Sequence, residues 1–203
     1  MYAKVGRLAG AVGVNPLRAD KTGALCVMRG GDFKDNTLGG TEFFAFCASQ
    51  NVALFSATAA IGLIVYNPIG SGVNAVFGKY CINVWATSAT TTGFVLAVQA
   101  QTITPTSVTA ATAWGKTLMT PPTFGSGQCL AYSVGTLQTA PLMVWNLAHN
   151  TAAIASTGID NISGDLQGAL AIGPGNVALI GALGVAAVTA NIGLMWEEVP
   201  LVN

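Results

Sequence analysis

Apolar runs rich in Val, Ile, Phe and Trp alternate along the chain with short clusters of Gly, Pro, Asn and Ser, and no stretch sustains a period of 3.6 residues. The pattern is clearest over residues 61–85, where two apolar runs, 61–66 and 73–85, flank Asn67-Pro68-Ile69-Gly70-Ser71-Gly72. Pro68 fixes φ, and Gly70 and Gly72 accept positive φ, so the chain is predicted to reverse there. In the second run a period of two places Val76, Tyr80, Ile82 and Val84 on one face and Phe77, Lys79, Cys81, Asn83 and Trp85 on the other. These features predict two long strands joined by a tight connection, central to an all-β core.

Further strands follow from the same reasoning. Residues 41–57 form an apolar run split by Ser49-Gln50-Asn51, which fits two short strands and a turn, or one bent strand. Residues 94–104 alternate Phe94, Leu96 and Val98 with Val95, Ala97, Gln99 and Gln101 and read as a strand. Residues 105–127 read as long loops around a short segment at Trp114, in which 110–113 could form a helical turn. Strands are expected at 129–134 and 141–147, then a polar loop at 149–164 and two short strands around Gly173-Pro174-Gly175-Asn176. Residues 191–199 read as an edge or rim strand. About eight short strands separated by turns indicate a sandwich, jelly roll or barrel.

Charge changes this picture. The 203 residues are 52% hydrophobic and only 8% charged, against about 25% in an ordinary domain. Residues 1–42 hold six of the eight Lys/Arg residues, and from Phe43 to Trp196 only Lys79, Lys116, Asp160 and Asp165 are charged. The division expected is therefore an extended N-terminal arm, 1–42, carrying one short strand at 24–28, and a β-sandwich, 43–203. Much of the body's surface is expected to be buried against other subunits. A net charge of zero gives no basic patch for phosphates, so no nucleic acid is expected as a partner. The most apolar window, 166–196, is broken by Gly173-Pro174-Gly175, Asn176 and Asn191, which argues against a spanning helix, and no membrane association is expected.

Candidate chemistry is sparse. Cys26, Cys47, Cys81 and Cys129 form no CxxC pair and sit among apolar residues, so they are expected to be buried free thiols in a chain that folds in a reducing compartment. His149, the single histidine, has no nucleophile or carboxylate at catalytic spacing. Residues 160–165 offer oxygens but too few carboxylates for a calcium loop, and an Asx-turn is the simpler reading. Glu197 and Glu198 are adjacent, so on a strand they face opposite ways and cannot act together on one bond. Trp85, Trp114, Trp145 and Trp196 could line a sugar groove, although in strands they more often anchor cores or interfaces. No catalytic, cofactor or metal-binding residues are assigned, no cofactor is expected, and the chain is expected not to be an enzyme.

Residues 18–25 (Arg18-Ala19-Asp20-Lys21-Thr22-Gly23-Ala24-Leu25), Tyr66-Asn67-Pro68 with Gly70-Ser71-Gly72, Gly173-Pro174-Gly175 and Trp196-Glu197-Glu198-Val199-Pro200 together carry a resemblance. The chain resembles small jelly-roll structural proteins of tailed-bacteriophage virions, of the capsid decoration, cement or spike type. The resemblance implies a jelly-roll-like antiparallel β-sandwich, a homotrimer, contact with the major capsid protein or other virion proteins, and a place on the capsid surface after synthesis in the host cytoplasm. It brings no catalytic residues. The alternative on the same fold is a receptor- or carbohydrate-binding module of a tail or cell-surface assembly.

Overall fold

The computed structural model describes residues 18–19, 25–26, 42–52, 60–87, 92–115, 127–150, 160–183 and 188–201. The chain divides into two compact units, Met1–Asp35 and Asn36–Asn203. In the first unit β1 (Arg18–Ala19) pairs antiparallel with β2 (Leu25–Cys26), which places the short strand expected at 24–28.

The second unit is an all-β antiparallel sandwich, with no helix among the described residues. One sheet runs β11 (Asp160–Asp165), β5 (Val73–Thr87), β14 (Val188–Pro200), β3 (Glu42–Val52), β8 (Thr112–Gly115), with β12 (Ala171–Ile172) also on β5. The other runs β10 (Leu142–Asn150), β6 (Thr92–Ala100), β13 (Asn176–Leu183), β4 (Ala60–Asn67), β9 (Leu130–Thr136), β7 (Thr106–Ala110). Between the sheets lie Phe43, Phe77, Ile82, Ile192 and Leu194 from the first, and Leu63, Val65, Phe94, Leu96 and Ile180 from the second. β14 shows why these residues make a sandwich. Val188, Ala190, Ile192, Leu194 and Trp196 are buried and alternate with partly exposed Thr189, Asn191, Met195 and Glu197, Gly193 alone of the intervening residues being buried too. β4 and β13 are buried on both faces, because Ile64, Tyr66, Val177 and Leu179 gather with Leu137 in a second apolar cluster.

The reversal at 67–72 is tight: Ser71 N donates to Pro68 O at 3.1 Å, and Gly70 and Gly72 take φ of 82° and 73°. The strands it joins do not pair, however, since β4 and β5 belong to different sheets and the turn is an arch across the sandwich. Gly173-Pro174-Gly175 makes a second arch, from β12 to β13. Asn67 ties the two together. Its Nδ2 donates to Val73 O at 2.9 Å and Ile172 O at 3.1 Å, while its backbone oxygen accepts from Gly175 N at 2.8 Å.

Several expectations change. Along β5 Trp196 faces Phe77 and Leu194 faces Tyr80, so β5 carries one extra residue at Gly78-Lys79. That bulge inverts the alternation, and Phe77 joins the core with Ile82 and Val84 instead of sharing a face with Lys79. β14 is flanked by β5 and β3, so it is an inner strand and not a rim strand. Of the two forms offered for residues 41–57, the structure shows one bent strand over Glu42–Val52, with an extra residue between Cys47 and Gln50 relative to β14. Residues 110–113 are extended, ending β7 and opening β8, and make no helical turn. Of the polar loop expected at 149–164, residues 149–150 end β10 and 160–164 form most of β11, because β5 pairs residue by residue from Asp160↔Val84 to Asp165↔Lys79; residues 151–159 lie outside the described residues.

Candidate functional site

Two kinds of surface on the sandwich could meet another molecule: a groove on the first sheet, and the sheet edges. The groove, about 490 Å³, is lined among others by Phe44, Lys79, Cys81, Ser163, Asp165 and Met195. Its one thiol, Cys81, is not activated. Burial raises the Cys81 thiol above its ordinary value, which keeps it protonated. Asp165 Oδ1 accepts from Gln167 N at 2.8 Å, so the Asx-turn expected in this segment exists at the end of β11.

The adjacent glutamates do face opposite ways. Glu198 is buried, with Glu197 on the other face and partly exposed. The Glu198 carboxylate accepts from Gln128 N at 2.7 Å, Cys129 N at 2.9 Å and Trp196 Nε1 at 3.5 Å. Its lone pairs are thus spent on pinning the segment that leads into β9, a structural task that the sequence pattern does not signal. The Cys129 thiol is pushed up first by burial and then by this carboxylate. Cys47 is pushed up to about 11 by burial. Cys47, Cys81 and Cys129 are free, the first and last buried and Cys81 half-buried; the Cys26 side chain lies outside the described residues.

His149 lies in β10 opposite Gly93, in a strand and not in a polar loop. Among the described residues no three His, Cys, Asp or Glu side chains come together in a way that could hold a metal ion. No helix among them is long and apolar enough to cross a membrane. Trp196 stacks on Phe43 with ring centroids 6.0 Å apart, a core anchor as its strand position suggested. Trp85 and Trp145 are exposed, on strands of different sheets, and the Trp114 side chain lies outside the described residues.

The edge strand β10 differs from the rest of the surface. Met143 faces Ala97 and Trp145 faces Leu96, so Val144 is an extra residue on β10, and a second irregularity follows between Asn146 and Ala148. Leu142, Val144 and Trp145, before, in and after the first bulge, are exposed at 73%, 45% and 48%, whereas Leu147 is buried in the core and its oxygen accepts from Tyr80 Oη at 3.2 Å. Uncharged hydrogen bonds fix the turn before β10. Gln138 N donates to Gln101 Oε1 at 3.0 Å, Thr102 N donates to Gln138 Oε1 at 2.6 Å, and Gln99 Nε2 donates to Thr139 Oγ1. A strand signal is visible at 141–147, but its bulges and its place at the end of the sheet leave no mark in residue type.

No family model, no curated protein and no solved structure matches the chain.

Proposed function

We propose that the chain is a non-enzymatic structural protein of a virion, a capsid decoration, cement or spike protein that acts as a homo-oligomer. In this reading three copies associate and seat on the major capsid protein or other virion proteins at the capsid surface. One observation carries it: β10 is an uncharged edge strand holding Leu142, Val144 and Trp145 in water, on a body with few charges to keep such a surface solvated. Copies packed side by side on a particle would bury that surface, and a low charge count is then no liability. Raised, protonated thiols at Cys47, Cys81 and Cys129 suit structural packing better than nucleophilic chemistry. The test is to locate the protein on purified particles by imaging with a label on the chain. Regular copies on the outer shell are expected; absence from particles would overturn the reading.

A second reading, glycan or receptor binding on the same fold, is favoured by one observation, the exposed rings of Trp85 and Trp145. Glycan binding lost in Trp85→Ala or Trp145→Ala would support it.

A further inference from the structure

We infer that copies associate head to tail, the β10 edge of one sandwich docking against the β7–β9 edge at the opposite end of the same sheet in the next copy. This rests on the homo-oligomer reading above. The sheet order places β10 at one end and β7 at the other. Exposed large hydrophobics lie at both ends: Leu142, Val144 and Trp145 on β10, and at the other end two separate positions, Val108 (41%) on β7 beside Gly135 and Leu130 (40%) five residues further along β9. Leu130 is open because β7 stops pairing short of it, with Ala110 facing Tyr132 and Ala111 N donating to Ala131 O at 3.1 Å. The first sheet offers no such surface at β11, where Asn161, Ser163 and Asp165 are exposed and guard the edge.

Charge selects the occupant. Residues 80–115 and 117–159, which include β6, β7, β9 and β10, carry no Asp, Glu, Lys or Arg. A charged partner would lose solvation at either edge with nothing to pair against, whereas a second copy brings an uncharged apolar counterpart. Two distinct patches at opposite ends decide the symmetry. A two-fold contact of β10 with β10 leaves Val108 and Leu130 in water, while a head-to-tail contact covers residues at both ends and gives a ring such as a trimer where the rotation from copy to copy closes. Thr106, Ser107 and Thr109, with Asn146, supply an uncharged hydrogen-bonding rim. Register shifts interrupt both β10 and β7, and Ser107 sits at φ 50°, so packed side chains and not a continued ladder make the junction.

The test compares the full chain with Trp145→Glu and Val108→Glu by native mass spectrometry, with circular dichroism as the check on folding. Each variant alone is expected to fall to a single chain. An equal mixture is expected to form a pair and no larger species, because only one junction between the two variants is intact. A Val108→Glu chain that keeps the full assembly, while Trp145→Glu does not, would establish a two-fold contact and overturn the inference. Assembly surviving in both variants would also overturn it and leave the homo-oligomer reading standing, whereas a wild-type monomer overturns both. Should a glutamate variant fail to fold, Trp145→Gln and Val108→Thr replace the pair, with at least tenfold weaker association on dilution expected for each and unchanged association counting against the inference.

Discussion

Replacing Asn67 by aspartate keeps the shape of the side chain and reverses its hydrogen bonding. The Nδ2 group that now donates to Val73 O at 2.9 Å and Ile172 O at 3.1 Å becomes an oxygen facing two carbonyl oxygens, at a site with no exposed surface. Losing the bonds and leaving buried acceptors without them costs about 1–3 kcal/mol. An ionised carboxylate there, with no cation among its described contacts, brings the expected total at pH 7 to about 3–5 kcal/mol. Burial and the two facing carbonyl oxygens disfavour the charged form, so the folded pKa of the introduced carboxyl must lie above the unfolded value of about 3.9. The folded state therefore holds the proton more tightly than the unfolded state. The deficit against wild type is smallest below pH 3.9 and grows as pH rises toward the folded pKa, a sign fixed by linkage at about 1.4 kcal/mol per unit. Asn67→Ala removes the same donor but also removes Oδ1, which makes no hydrogen bond among the described residues, and adds no charge. It should cost about 1–3 kcal/mol, with no pH dependence of its own. For a chain of this size each kcal/mol lowers Tm by roughly 2–4 °C. Urea unfolding of wild type, Asn67→Asp and Asn67→Ala at pH 4 and 7, at one protein concentration, measures all of this. Equal stability of the two variants at both pH values, or Asn67→Asp within about 1 kcal/mol of wild type at pH 7, would refute the role given to Asn67.

Gly62→Ala should destabilise by at least about 3 kcal/mol, because Gly62 has φ of 147° and a Cβ there would lie 2.2 Å from Ile180 O; a thermal melt near that of wild type would contradict it. Cys47 is raised from 9.0 to about 11, so its folded state keeps the proton while the unfolded thiol ionises. Its contribution is complete below pH 9 and is lost as pH rises toward 11, and Cys47→Ala should show a shallower alkaline fall in urea midpoint than wild type. A chain beginning at Asn36 should keep its β circular dichroism, since both sheets lie within Asn36–Asn203, but should associate or bind particles more weakly. Loss of folding would show that residues 1–35 belong to the sandwich.

The all-β class is legible in the sequence because turn formers and period-two runs agree, as in β14, where each second residue is buried from Val188 to Trp196. Which strands share a sheet is not legible. β4 and β13 are buried on both faces and so show no alternation that could reveal a partner, and the same Pro/Gly chemistry serves a hairpin and an arch. The phase of β5 is lost at one residue, since a bulge at Gly78-Lys79 shifts every side chain before it to the other face. β14 reads as a rim strand because Glu197 and Glu198 suggest a wet edge, whereas Glu198 is buried by three donors, two of them backbone groups from residues 128 and 129. Those partners lie 70 and 69 positions away, beyond the reach of local pattern. For the candidate surface, the scarcity of charge is plain in the sequence, but the exposure of Leu142, Val144 and Trp145 goes with the place of β10 at the end of its sheet, which residue type does not reveal.

Sedimentation equilibrium of the full chain from below micromolar to tens of micromolar tests most directly whether the uncharged edges exist to be covered by other copies. A mass corresponding to three chains, persisting on dilution, is the result expected. A mass of 20.6 kDa, one chain, at every concentration would contradict it.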